Sequence, residues 1–589
     1  MLNQTIDYRT SVYAPIREFQ GKMNFTYKGV TTTYLDDKII SMNTIEEMNN
    51  INNTLPSNEI NIVMDNTSGD FSFLTYDKMY EIIASKPKIE AFLGLVTANV
   101  EAQTLTTNYV GKIINSTIEN PNIYKRTGSP TFLPPSSFSF IPTQTDHNEI
   151  SILDGVVDQE SQVTLLRYPL MLHQFDVVQV LERQFGTSIW GGKTLLADKV
   201  ALAKTYIKDY TYNCTCRGNS PTGNKASINR WVASSSAWFG TPVSHTNSTL
   251  TKLTIARTDA STTIDANGFM NFLAYAEPTN NTISSNIYVD YVELILNVNP
   301  ILNVEWIPIG VFNLINYKTQ TGNMSIQLTG RDSLDLLRDI SYDNTQQNTL
   351  YNLAVDIFTQ ANITSYSIDD SLKNISGSFS ERLDMRTALQ HIGIASRAAV
   401  YQDRTGRMVI KPFTLLDQSS NYLTYSGQSQ LISGNTTSLG TGGGWAYPIN
   451  STGGGMKYIS MDYQYTEPDV QLQKSVYELI ITVNSGQGNA QERRYVNTVL
   501  GGNNGASMQI DNPLIETNAV ADAVAEWYIR ETNYGAVYNI NWRQNPVLEC
   551  GDIVLIEDSF GANKQTRITH QEFMYTGYLE GRTESRGGI

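Results

Sequence analysis

The chain reads as a mainly β protein with α+β parts, and three observations carry that reading. Aromatic residues make up 10% of the 589 positions, with 33 Tyr, while charged residues reach only 17%. Tyr and Thr favour strands, and the plentiful Asn favours turns. Short runs alternate with a period of two, as where Met324, Ile326 and Leu328 interleave with Ser325, Gln327 and Thr329, the pattern of a half-buried strand. A few segments carry helical spacing instead, the strongest being Leu350, Leu353, Ala354, Ile357 and Phe358. A chain of this length is expected to hold several domains.

Composition also excludes some functions. A formal charge of −15 argues against gripping the phosphate backbone, which needs clustered Lys and Arg, so no sequence-specific nucleic-acid partner is expected. The three cysteines, Cys214, Cys216 and Cys550, read as free thiols, because a lone C-x-C without further ligands does not make a structural zinc site. The N-terminal residues lack the basic and apolar regions of a signal peptide. No run approaches the roughly 18 apolar residues of a membrane span, and no integral membrane segment is expected.

Taken in order, residues 17–65 read as paired strands around polar connections, and 88–96 as a compact apolar strand. Four prolines, Pro130, Pro134, Pro135 and Pro142, punctuate a connection. Val177, Val180 and Leu181 predict a helix, and Leu196, Val200, Ala203 and Ile207 share one face of a second. Beyond Lys208 strands return, around 210–218, 228–240, 247–257, 268–277 and 286–298. Residues 304–337 read as strand, polar turn with Gly322, strand and short helix, capped by Asp332 or Ser333. The helix at 350 is followed by a helix and hairpin over 381–412, turning at 403–406. Residues 419–455 are glycine-rich and read as long loops. A helix with Val520, Val524 and Trp527 on its apolar face, capped by Thr517 or Asn518, precedes a terminal run of strands in which Tyr538, Ile540 and Trp542 alternate with polar residues.

Three stretches resemble the hub proteins of long-tailed phages, including the N-terminal part of tail-associated lysins. The first is a strand with Trp306, Ile307, Pro308, Gly310 and Phe312, followed by Gly330, Arg331, Asp332, Leu334, Asp335, Leu336 and Leu337. The second is the "NPLI" segment at 512–515 with its following helix, and the third is the turn Leu548, Glu549, Gly551, Asp552, Val554, Ile556, Glu557 and Asp558. In such proteins the strand at 88–96 leads almost directly to the Trp306 strand, whereas here about two hundred residues intervene. The resemblance implies two small hub β-barrels plus mixed α/β domains, and the closing strands of the intervening segment resemble a jelly-roll β-sandwich of carbohydrate-binding modules. The expected division is 1–96 with 303–340 as a discontinuous first barrel domain, and 97–302 as an inserted helical and jelly-roll-like module. Residues 341–465 form mixed α/β domains with glycine-rich loops, and 466–589 a helix plus second barrel.

As the resemblance implies, the expected function is a structural virion protein at the phage tail tip, made in the host cytoplasm. It would be a homotrimeric baseplate hub joining the tail tube to the tip and serving DNA ejection. Its partners would be the distal tail protein, the tape measure protein, other tail-tip proteins and, through the insert, a host cell-surface glycan. The rivals are a carbohydrate-binding receptor-recognition protein and a cell-wall glycan hydrolase, the latter needing two carboxylates at a set separation. The chain stops just after the terminal barrel, without the extension that carries hydrolase activity in some relatives, and no enzyme is expected.

Candidate chemistry is sparse. His147, His173, His245, His391 and His570 form no ligand or triad pattern. Gly192, Lys193 and Thr194 resemble the end of a P-loop, but Gly186 stands one residue too far upstream. Glu557 and Asp558 read as turn acids, and Asp290 has no acidic neighbour. No catalytic residue, metal or cofactor is expected. Trp231, Trp238, Phe239 and Tyr275 form the one candidate ligand site, a platform on which a pyranose could stack; the alternative places these rings in the sandwich core.

Overall fold

Five strands precede the inserted segment: β1 (Phe19–Tyr27), β2 (Val30–Tyr34), β3 (Ile39–Glu47), β4 (Glu59–Asp65) and β5 (Lys88–Val100). Eleven follow within it: β6 (Gln103–Asn108), β7 (Ile123–Ser129), β8 (Asp158–Gln162), β9 (Tyr168–Asp176), β10 (Ile207–Asn219), β11 (Ala226–Val232), β12 (Ala237–Trp238), β13 (Val243–His245), β14 (Thr251–Arg257), β15 (Phe269–Ala276) and β16 (Ser285–Val298). The chain then returns through β17 (Ile301–Gln320) and β18 (Ser325–Arg331). This computed structural model describes residues 2, 4–48, 55–71, 79–85, 87–320, 324–412, 457–484, 490–497, 505–532, 534–559 and 564–588. The turn at Gly322 and the glycine-rich stretch 419–455 lie outside them. The fold is mainly β with α+β parts, in two compact units: Met1–Val96 with Glu305–Ile589, and Thr97–Val304.

In the first unit, β5 and β17 are hydrogen-bonded neighbours. Leu314 N donates to Pro87 O at 2.9 Å, and where the same two strands run on into the second unit the Thr97 hydroxyl donates to Asn303 O at 3.4 Å. Partner numbers fall as strand numbers rise, so the two run antiparallel, as arms of one hairpin do. They belong to a 13-stranded sheet ordered β2-β1-β5-β17-β18-β4-β3, which continues through Lys564–Tyr575, Leu579–Gly587, Ala536–Trp542 and Asp469–Leu472. Its two halves wrap separate cores. Phe19, Met23, Ile62, Leu93, Phe312 and Leu328 fill the first; Ile459, Tyr538, Ile540, Trp542, Val554 and Ile568 fill the second. The alternating residues of each strand point inward, as the period of two requires.

A third core lies among helices and short sheets. The helix Leu350–Gln360 buries Leu350, Leu353, Ala354, Ile357 and Phe358, the five residues its spacing selected. It packs in one core with residues of the helix Met385–Ser396, of the strands Ala398–Gln402 and Val476–Asn484, and of the helix Asn518–Thr532. Thr517 caps that last helix, its hydroxyl accepting from Val520 N at 3.3 Å. Asp332 caps the short helix Ser333–Leu336, and burial raises its carboxyl to about 7.

The second unit is a β-sandwich. One antiparallel sheet runs β14-β10-β16-β6, with β8 also on β16; the other runs β12-β11-β15-β9-β7, with β13 also on β11. From β6 onward the chain crosses between sheets at nearly every step. Tyr212 of one sheet stacks on Phe272 of the other, ring centres 4.1 Å apart, and one core takes residues from both. The helix Val177–Phe185 starts at Asp176, whose Oδ1 accepts from Gln179 N at 2.9 Å. In the helix Leu196–Tyr206, Val200 and Ala203 are buried but Leu196 is exposed. The expected face including Leu196 is thus corrected: Leu196 opens the first turn, before the helix settles on the core.

Candidate functional site

The candidate site grows from the hairpin of β11 and β12. Trp231 lies opposite Trp238 in the register, with ring centres 5.2 Å apart and nearly perpendicular. Side chains alternate across a strand, so Arg230 and Phe239 face the other way. The pleat therefore divides the four aromatic residues that the sequence singles out. Trp231 and Trp238 sit on one face, both half-buried. Trp238 packs against a cluster containing Phe138, Leu170 and Tyr275 and donates from Nε1 to Leu133 O at 2.8 Å. Tyr275 is 6% exposed, covered by Phe132 at 4.7 Å between ring centres, and burial raises its hydroxyl to about 12. The proline-punctuated stretch thus lies over these rings. Phe239 stands apart from them, beside a cavity.

That cavity, of about 280 Å³, lies between β14 and the β11–β12 hairpin, and Asn229, Arg230, Phe239, Thr254, Ile255 and Arg257 contribute to its lining. Arg230 is buried and fixed: Nη2 pairs with Asp259 at 2.8 Å, and Nη1 donates to Thr263 Oγ1 at 3.1 Å and to the Tyr210 hydroxyl at 3.4 Å. Its guanidinium lies 4.5 Å from the centre of the Phe239 ring, and that of the exposed Arg257 lies 5.1 Å from it. Cation–π attraction holds both groups against the ring. Asn229 Nδ2 donates to Phe239 O at 2.8 Å, fixing the strand that carries the ring. Sequence reasoning found Phe239 and missed both arginines. Arg230 precedes a predicted Trp, and only the pleat, with its pairing to 239, reveals its place.

The other polar candidates are held in structural roles. His173 is fully buried, its Nδ1 shares a hydrogen bond with the Tyr212 hydroxyl at 2.9 Å, and burial pushes its imidazole down to about 3. His570 Nδ1 meets Glu47 Oε1 at 3.0 Å, and His245 Nε2 bonds Cys216 O at 3.0 Å. Asp290 Oδ1 accepts from Gly155 N at 3.0 Å. Glu557 Oε2 accepts from the Ser460 hydroxyl and Met461 N, as a turn acid does. Lys193 is exposed in the turn after Trp190. The three cysteines are free and buried. Among the described residues, oxygens of Asp146, Glu149 and Asp158 lie within 4.8 Å of one another. Arg126 already occupies that cluster, pairing with Asp158, with Asp146 at 3.2 Å and with Glu160 at 3.5 Å. No described helix is long and apolar enough to cross a membrane.

The hub-like motifs have a packing reason. A Cβ on Gly310 would fall 2.5 Å from Phe312 Cζ, and one on Gly330 2.9 Å from Phe312 Cβ. The Phe312 side chain therefore lies over both glycines and joins the two motif halves. Arg331 then pairs with Glu59 at 3.1 Å and with Asp335 at 3.4 Å. In the terminal turn Gly551 takes φ +89°, a region that favours glycine, and Asp552 Oδ2 accepts from Glu549 N at 2.9 Å.

No family model matches the chain, and no curated protein matches it. Among solved structures it is similar to the 43 kDa tail protein of prophage MuSo2 from Shewanella oneidensis, at 12% identity and TM-score 0.32, over 48% of this chain and 82% of that one. It is also similar to the tail protein from Neisseria meningitidis MC58, at 10% identity and TM-score 0.33, over 65% and 92%. A third similar structure is prophage tail protein gp18 from Listeria monocytogenes, at 11% and 0.31, over 47% and 76%. Likenesses this weak assign no function.

Proposed function

We propose that this chain is a structural, non-enzymatic protein of a phage virion: a tail-tip or baseplate hub that assembles as a homotrimer and joins the tail tube to the tip. The observation that carries the reading is the contact made by Phe312 over Gly310 and Gly330, which ties together the two halves of the hub-like motif. Supporting it, β5 and β17 pair as one interrupted hairpin, so the motif strand completes a sheet begun before the insert. The distal tail protein and the tape measure protein are the partners this reading assigns. Homo-oligomers close by symmetry, and a trimer forms a ring. With a chain charge of −15, the wall of such a ring lets DNA phosphates slide without holding them.

The unit Thr97–Val304 is, in this reading, a jelly-roll module that contacts a host-surface glycan. Its strand order supports that: β8 to β16 place β14-β10-β16-β8 in one sheet and β13-β11-β15-β9 in the other, the double Greek key of a jelly roll. Imaging of the purified full chain tests the hub assignment. Closed rings with threefold symmetry are expected, and a chain that stays monomeric at micromolar concentration would overturn it.

A further inference from the structure

We propose that the cavity between β14 and the β11–β12 hairpin binds one acidic sugar unit of a host-surface glycan, a ring bearing a carboxylate or a phosphate. This rests on reading Thr97–Val304 as the host-contacting module, and the hub assignment does not depend on it.

The lining decides the ligand's charge. Its two charged residues are both arginines, and no carboxylate lines the cavity, in a chain whose formal charge is −15. Asp259 balances one guanidinium from behind. Among the described residues no carboxylate pairs with Arg257, whose guanidinium lies against the Phe239 ring. One positive charge is left over, the complement of one carboxylate or phosphodiester. A guanidinium presents a planar fork of donors that matches either group, and a fixed fork loses less freedom on binding than a mobile one. Arg230 is held by Asp259, Thr263 and Tyr210 before any ligand arrives, and Arg257 lies exposed at the mouth.

The walls decide its size and its neutral part. A volume of about 280 Å³ falls just below the roughly 300–1,000 Å³ of drug-sized pockets, so a single ring fits better than an oligosaccharide. Ile255, only 6% exposed, and the Phe239 ring offer apolar surface to sugar C–H groups, while the Thr241 hydroxyl can meet a sugar hydroxyl. The position also suits a chain end or branch. β14 is an edge strand of one sheet, and β12 and β13 lie at the edge of the other, so the cavity opens where the sandwich is not closed by further strands.

Calorimetric titration of the full chain with three probes tests this: tri-galacturonate, its neutral counterpart galactotriose, and galactose 6-phosphate. At least one acidic probe is expected to bind tenfold or more tighter than the neutral one, and to weaken as salt is raised; which acidic probe binds identifies carboxylate or phosphate as the natural group. Arg257→Gln is expected to erase that preference and Arg257→Lys to restore part of it, both with the melting temperature of the parent. Equal binding of galactotriose, unchanged affinity in Arg257→Gln, or no acidic binding at millimolar concentration would each overturn the proposal. If the chain still sediments with host cell walls while ignoring both acidic probes, only the cavity assignment fails. If it does neither, the host-contact reading fails with it.

Discussion

The two units bury their strands by opposite routes. The unit Thr97–Val304 draws its main core entirely from residues between Ala98 and Ile301, and each of the strands β6 to β16 pairs with another strand of that set. The other unit is woven from distant chain. Its β3 pairs with Lys564–Tyr575, Met42 opposite Tyr575 and Glu47 opposite His570. One of its cores joins Leu55 and Leu350 to Leu479 and Trp527. Arg404 ties its own segment to two distant ones: it pairs with Glu46 at 2.6 Å and donates to the carbonyls of Pro546 and Leu548. Removing a self-contained core is expected to leave the woven one intact, whereas cutting the woven unit anywhere removes a partner from elsewhere. Loop-closure cost grows only as the logarithm of length, which is how about two hundred residues can stand between β5 and β17 without unpairing them.

From that contrast the units are expected to melt as separate transitions, and a substitution in one should leave the other in place. The largest effect is expected at Arg404, which is 3% exposed. Arg404→Ala leaves the part-buried Glu46 without its cation and Pro546 O without a donor, while Leu548 O keeps the bond from Gln571 Nε2 at 2.9 Å. A loss of about 3–5 kcal/mol is expected for the woven unit, with the sandwich transition unmoved in scanning calorimetry. A fall in both transitions would break the comparison.

A smaller effect, confined to the sandwich, is expected at His173. Its folded imidazole titrates at about 3 against an ordinary 6.5, so between those values the unfolded chain binds a proton that the folded chain refuses. Stability from this group is therefore present at neutral pH and is lost as pH falls through that window, at up to about 1.4 kcal/mol per pH unit. Asp176 works the other way: burial raises it to about 6, so the folded state gains between 6 and the ordinary aspartate value on acidification. His173→Asn keeps a side-chain amide that can hydrogen-bond the Tyr212 hydroxyl in either direction but cannot titrate. The variant's sandwich transition should fall less steeply than the parent's between pH 6.5 and 4. Identical slopes would show that His173 does not govern the acid response.

Much of the fold was legible because the signals were local. The compact apolar run at 88–96 became β5 and the alternation of Ile326 and Leu328 became β18, although Met324 stands exposed in the turn before it, at φ +47°, and not on the strand's buried face; the spacing of Leu350 to Phe358 became a buried helix face. The sheet joining β3 to the C-terminal strands left no trace, since pairing across more than five hundred residues has no periodicity to read. At the candidate site the aromatics were visible as residue types, but their division was not. One strand parity sends Trp231 and Trp238 toward Tyr275 and the other sends Phe239 toward Arg230. Arg257 lies on a strand read correctly as a strand. Its approach to Phe239 comes from the packing of two sheet edges, which no single stretch of sequence encodes.

The most direct test of the central claim, a woven trimeric hub carrying a self-contained module, is the solution mass of a shortened chain. Residues 97–304 would be replaced by an Asn-Gly turn, which suits a two-residue hairpin between β5 and β17, and the mass measured by light scattering beside that of the full chain. Both are expected to be trimers. A shortened chain that is insoluble, or that stays monomeric while the full chain forms trimers, would contradict the claim, because the module would then be part of what holds the hub together.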